Sequence, residues 1–379
     1  EATYANLASL TATGTKVATI GLSDTAANIA THLDALEALS TATSGPVLTS
    51  ITRTGTSNVL TVAVGQLSSD NHALALMANS YSMAVTGVSA ANATSIAATT
   101  NVGSISVSDS SANIALKWAD LHALGPKLTK ISQTGNAAAM NITATQLSQM
   151  TSTLAKINGA YTLNVNGVLA AEAAKTSSNA HVASMSVSDT AANISANLDV
   201  INTYGSKVTA IGQTDYPTSI NITATQLTAN SATLAKLGAN YNLAVSNVFA
   251  EDATRIAGLA HVASIAVSDT SGNIAYNLDA IQDLGSKVTS ITSLGAGVPL
   301  AIQYSQLSRD AGALSKITGS YGLAVRGVTA TLANSVAASA HVNSVAVSDD
   351  SATIASNLDT LKALGKQLTS ITQTGNIAP

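Results

Sequence analysis

The stretch "VSDTAANIS" at 187–195 restates "LSDTAANIA" at 22–30 almost letter for letter, and close relatives surround residues 107, 267 and 347. Its aspartate recurs as Asp24, Asp109, Asp189, Asp269 and Asp349, at intervals of 85, 80, 80 and 80 residues. A fixed period of this length identifies a tandem array before any domain is counted. The longer first interval has a local cause. "STATSGPV" (40–47) separates Leu39 from Leu48, where the next copy has only "GPK" between Leu124 and Leu128. Ser, Gly and Pro mark the extra residues as a lengthened surface loop.

Other residues keep the same beat: Tyr81, Tyr161, Tyr241 and Tyr321; Gln66, Gln146, Gln226 and Gln306; His181, His261 and His341. The chain therefore reads as one continuous array over 1–379. A partial unit plus the first full unit, with the 40–47 insertion, occupies 1–101. Full units follow over 102–181, 182–261 and 262–341, and a partial fifth over 342–379. Repeat arrays close with atypical polar capping repeats. Neither residue 1 nor Pro379 sits in one, so further copies or a neighbouring chain are expected at both ends. The opening "EATYANLASL" has neither an initiator Met nor a signal peptide and is expected to be part of an excised or processed piece.

Composition narrows the class. Charged residues make up 9% of the 379, against about 25% in average globular proteins. Hydrophobic content of 46% argues against disorder, which needs low hydrophobicity and high net charge. Net charge is −4 without a basic run, so nucleic acid is not an expected partner. No run of 18 apolar residues exists, and no membrane span is expected. Cysteine is absent, which removes disulfides and thiolate metal sites.

Within the unit 261–340, "VASIAVSD" (262–269) alternates and predicts a strand. Ile274, Leu278, Ile281 and Leu284 then fall at helical spacing, with Gly285 as a natural stop. "KVTSITSLG" (287–295) predicts a second strand, and "LAIQYSQ" (300–306) a third, with Leu300, Ile302 and Tyr304 alternating. A second helix is expected over 307–318, with Leu307, Leu314 and Ile317 inward and Gly319 ending it. "YGLAVRGV" (321–328) gives a fourth strand and "TATLANSVAASAH" (329–341) a short Ala-rich helix. The unit is thus β-α-β-β-α-β-α.

Strand–helix–strand links favour parallel crossovers. The exception joins strands two and three: Ile211 and Ile222 are separated by "TDYPTS" (214–219), too short for a helical crossover. A hairpin or an extended corner is expected there. Two α/β architectures follow. One is an elongated, solenoid-like array; the other is a string of ferredoxin-like βαββαβ modules. The phrase recurs inside the unit as "SVSDTAANI" (186–194), "NITATQL" (221–227) and "AVSNVFAEDATRI" (244–256), which favours equivalent stacked coils.

"SVSDTAANI" (186–194), followed by "NLD" (197–199) and matched by "LTSITQTG" (368–375), resembles Ala/Thr/Ser-rich tandem repeats of very large bacterial secreted or surface proteins. These are adhesin-like or associated with repeats-in-toxin segments. The resemblance spans essentially the whole chain and implies a stalk. The glycine- and aspartate-rich calcium nonapeptide of true repeats-in-toxin segments is missing, so calcium binding does not carry over.

The aspartates admit two readings. Each follows a strand and precedes a helix, where a carboxylate can cap free N–H groups and meet the helix dipole. The sharper reading is a calcium ladder, which needs several carboxylates close together. The next recurring acids, Asp199, Asp279 and Asp359, stand ten residues further on, and the second copy has Ala119 there. Caps are the expectation. His181, His261 and His341 precede strands in "AHV", Lys16 takes the matching place in the first copy, and no second ligand recurs beside them. They are expected to be hydrogen-bonded loop residues. The tyrosines are expected to pack while their hydroxyls find partners. The glutamines are expected to satisfy the backbone of the adjoining coil.

No G-x-S-x-G, phosphate-cradling glycine loop or H-E-x-x-H occurs. The copies deviate blandly, as where Trp118 replaces the equivalent of Leu198. No catalytic, cofactor-binding or metal-binding residue is assigned, and an enzyme is not expected. Thr-x-Thr ranks suggest an ice-binding solenoid as a minor alternative. "ITATQ" at 142–146 and 222–226 is flanked by "VAVGQ" and "IQYSQ", however, which breaks the rank. The expectation is an extracellular structural repeat protein, a segment of a bacterial filament, stalk, sheath or surface layer that self-associates. The alternative is an adhesin-type module for carbohydrate or another surface.

Overall fold

The computed structural model describes residues 3–12, 16–136, 138–295 and 297–375. Residue 1 and Pro379, on which the expectation of uncapped ends rests, lie outside them. The fold is α/β, and among the described residues the strands form five small sheets. The pairings are parallel. This excludes for the described residues the antiparallel sheet that ferredoxin-like modules require. The chain forms two compact units, residues 1–168 with 175–185, and 169–174 with 186–379.

In the first unit Thr19–Thr25 pairs with Val47–Thr54. A five-stranded sheet follows in the order Val59–Ala63, Ser82–Val88, Val102–Asp109, Leu128–Gln133, Ile157–Asn158. Met140–Thr143 pairs instead with Leu163–Val168. The second unit repeats the scheme. Ser219–Thr223, Asn242–Val248, Val262–Thr270, Val288–Leu294 and Ile317–Thr318 make one sheet, and Leu300–Gln303, Leu323–Val328, Val342–Asp349 and Leu368–Gln373 the next. Neighbouring strands are offset by 23, 19 and 24 residues (Ile220↔Leu243, Leu243↔Val262, Val267↔Ile291), one strand–helix coil each time.

Of the two links expected between strands two and three, the corner is the one observed, since Val288–Leu294 and Leu300–Gln303 belong to different sheets. Other local expectations are corrected. Tyr304 is not in the third strand. It opens the helix Tyr304–Arg309, because Gln303 and Gln306 close a capping box on each other. The helix expected over 307–318 is two short pieces, Tyr304–Arg309 and Ala311–Leu314. Ile317–Thr318 returns as a two-residue strand on Ile291–Thr292. The first helix also divides, into Ser271–Tyr276 and Leu278–Asp283. At the division Asn277 Nδ2 donates back to the Asn273 carbonyl at 2.9 Å. The same bond from Asn197 accompanies the unbroken Ala191–Thr203 helix, and the equivalent helix divides at Lys117 without an asparagine, so the bond does not account for the break.

The core forms where strand and helix apolar faces meet. In Val262–Thr270 a one-residue bulge (Leu243↔Val262, then Ala244↔Ser264) puts Val262, Ile265, Val267 and Asp269 on the buried side. Ile274, Leu278 and Ile281 cover them from the helices. Each such side chain contributes about 1.5–3 kcal/mol by leaving water. Fully buried Ala253 and Ala333 let the short helices approach closely. No described helix is long and apolar enough to cross a membrane.

Candidate functional site

The recurring aspartate ends its strand, and alternation after Ile265 and Val267 turns Asp269 inward. Asp24, Asp189 and Asp269 are buried. The expectation of a helix cap is corrected, because the cap is the following residue. Thr25, Ser110, Thr190 and Thr270 accept from the N–H of the third helical residue through their hydroxyls, and Asp350 does so through its carboxylate.

The aspartate instead ties two coils together. Asp189 Oδ1 accepts from the Thr190 N–H at 2.8 Å and from Asn193 Nδ2 at 2.7 Å. Its Oδ2 accepts the Ala170 N–H of the preceding coil at 2.9 Å. Asp109, Asp269 and Asp349 take the equivalent N–H groups of Ala90, Ala250 and Ala330, each at 2.9 Å, and Asp24 takes that of Tyr4 at 2.9 Å. Burial pushes the Asp189 carboxyl up, but bonds from Asn193, Ala170 and Thr190 hold it below the ordinary carboxylate value. Asp109 goes the same way through Asn113, Ala90 and Ser110, and Asp24 through Tyr4, Asn28, Thr25 and the nearby His32. A carboxylate saturated by three donors behaves as a fixed structural anion. The asparagine four residues on was missed in the sequence. The D-x-x-x-N spacing of Asp24/Asn28, Asp109/Asn113, Asp189/Asn193 and Asp269/Asn273 was its signal.

His181, His261 and His341 are loop residues with their Nδ1 3.2, 3.2 and 3.3 Å from the carbonyls of Tyr161, Tyr241 and Tyr321. Each ring also stacks on that tyrosine, with centroids 3.9, 4.0 and 4.1 Å apart. His261 and His341 take a left-handed backbone, as does Asn101 at the same place in the second copy. Their carbonyls accept from Leu243 and Leu323 N–H, both at 2.7 Å. The tyrosines stand just before their strands, and the Tyr81 and Tyr321 hydroxyls donate to the Leu74 and Leu314 carbonyls.

The glutamines do not serve the backbone of the adjoining coil. Gln66, Gln146, Gln226 and Gln306 accept at Oε1 from their own coil's Ala63, Thr143, Thr223 and Gln303 N–H. Their Nε2 reaches the adjoining coil's carboxylate: Gln66 to Asp34 at 2.7 Å, Gln226 to Asp199 at 3.0 Å, Gln306 to Asp279 at 2.6 Å. That accounts for Asp199 and Asp279 among the second set of recurring acids. Lys156, Lys236 and Lys316, also 80 apart, donate to the carbonyls of Gly125, Gly205 and Gly285. Trp118 is fully buried among the helix residues at the Leu198 position.

Among the described residues no three His, Asp or Glu side chains are disposed to hold a metal ion. Open depressions are lined by small side chains, as at Thr25, Ala27, Thr31, Thr54 and Thr61, about 610 Å³. No family model matches the sequence, and no curated protein or solved structure is significantly similar to it.

Proposed function

We propose that the chain is a structural repeat protein of an extracellular bacterial filament, stalk, sheath or surface layer, built as a continuous elongated α/β solenoid that self-associates and catalyses nothing. The observation that carries this reading is the aspartate bond to the preceding coil, made by the same atoms in five copies. Polar chemistry that recurs identically serves the period of a fold, whereas an active site needs one copy with its own convergent groups. Low charge suits close association, since little self-repulsion opposes it. Electron microscopy of the purified chain tests the reading. Rods or filaments with a regular repeat are expected, and compact globules would refute it.

A ligand-binding alternative has one observation in its favour. The only phenylalanine, Phe249, and Leu294 are both about half exposed and line an open groove of about 530 Å³ with Asn247 and Arg255. A glycan array that retains the chain, and releases Phe249→Ala, would support that alternative.

A further inference from the structure

One inter-coil contact is solved differently in each copy. The position of Asp34 is Ala119, Asp199 and Asp279 in the next three copies, and that of Asp70 is Met150, Asn230 and Asp310. In the second copy both partners are thus apolar. In the third, Asn230 Nδ2 donates to Asp199 Oδ1 at 2.6 Å. In the fourth, two acids meet, and Arg309 neutralises them, pairing with Asp279 and placing Nε 3.0 Å from Asp310 Oδ1.

The first copy has the two acids without the arginine, whose place is taken by Ser69. Asp70 is 3% exposed. Its Oδ1 accepts from Ser69 Oγ at 2.8 Å, while its Oδ2 is buried with no hydrogen-bond donor. The groups facing it from the Leu33–Ser40 helix are Asp34 and Glu37. The nearby His72 belongs to Glu37, with Nδ1 2.7 Å from Oε1, and Glu37 Oε2 also takes the Ala73 N–H. Asp34 accepts from Gln66 Nε2. Two ionised carboxylates in contact repel, and a buried acceptor without a donor is costly. One proton between them removes both penalties.

We propose that Asp34 and Asp70 share a single proton, making the packing of helix Leu33–Ser40 on residues 66–75 a pH-responsive joint unique to the first copy. The direction of titration agrees. Burial pushes the Asp70 carboxyl up, Ser69 opposes this, and Asp34 and Glu37 push it further up. Asp34, bonded by Gln66 and Asp70, is held down. A carboxyl raised in the folded state stabilises it around and below the ordinary carboxylate pKa. That contribution is lost as pH rises through the raised folded value.

Hydrogen exchange on the full chain from pH 4.5 to 7.5, corrected for the intrinsic rate, tests the joint. Protection over 66–77 is expected to fall with rising pH, by about tenfold for each unit separating the folded and unfolded values. The corresponding 226–237 segment, where Asn230 faces Asp199, is expected to stay flat. Asp70→Asn, which copies the third repeat, and Ser69→Arg, which copies the fourth, should each flatten 66–77. A flat wild-type profile, or a slope that survives both variants, would overturn the proposal. So would a slope abolished by millimolar calcium chloride, which would place a cation where the proton is proposed.

Discussion

Ala170 N–H donates to Asp189 Oδ2 at 2.9 Å although nineteen residues separate the two. The bond closes one complete coil and joins the first residue of a 3₁₀ turn to the last residue of the next strand. The same carboxylate also orders the start of the following helix through Thr190 and Asn193. One side chain therefore sets both the stacking of coils and the direction in which the next one leaves.

Asp189→Asn is expected to cost about 2–3 kcal/mol, because a charge-assisted acceptor is lost and a buried N–H is left short of a partner. Site-resolved hydrogen exchange checks this: the Ala170 amide should lose protection while amides of Leu323–Val328 do not change.

The depressed carboxyls of the recurring aspartates Asp24, Asp109 and Asp189 set an acid limit. Their folded values lie below the unfolded value of about 3.9. The folded state therefore binds fewer protons, and its stability is fully present above that value. It is lost as pH falls through the lowered folded values. Circular dichroism during an acid titration should stay level down to about pH 4 and fall below it, with Asp189→Asn giving a shallower fall.

His261 combines a stacked ring with a left-handed backbone. Asn101 occupies the same conformation without a ring, so His261→Asn should keep the backbone and lose the stack, about 0.5–1.5 kcal/mol, together with the Nδ1 contact to the Tyr241 carbonyl. His261→Val should cost about 1–2 kcal/mol more, since a β-branched residue resists positive φ. Urea unfolding of the two variants orders them, and equal costs would refute the backbone contribution.

The Asp199–Asn230–Gln226 network is portable in principle. Ala119→Asp with Met150→Asn should recreate it beside Gln146, with each single change worse than the pair. A double-mutant cycle should show favourable coupling of about 0.5–3 kcal/mol, and zero coupling would show that the contact depends on more than these side chains.

Much of this was legible in the residues. The 80-residue beat, the strand over 262–269, and the stripe of Ile274, Leu278 and Ile281 could be read because period two and period 3.6 are properties of local backbone geometry. The two-residue strand Ile317–Thr318 could not, since its identity lies in a partner 26 residues away. Tyr304 misled because it continues an alternating pattern, and only the Gln303–Gln306 capping box ends the strand before it. The aspartate was placed at the right corner but given its neighbour's task. Sequence order shows that Asp189 precedes a helix, but not that Ala170 N–H lies against it. The stacked tyrosines were in view as periodic residues, and their pairing with the histidines, twenty positions on, needed the coil length to be known.

The order of strands at each corner has a mechanical meaning. The chain leaves Val288–Leu294, founds the next sheet at Leu300–Gln303, then returns to lay Ile317–Thr318 against the old sheet before resuming the new one at Leu323–Val328. Successive sheets are thereby laced by the backbone itself, like a backstitch. Drawing one sheet away from its neighbour therefore requires the return pairing of Ile317–Thr318 with Ile291–Thr292 to be undone as well.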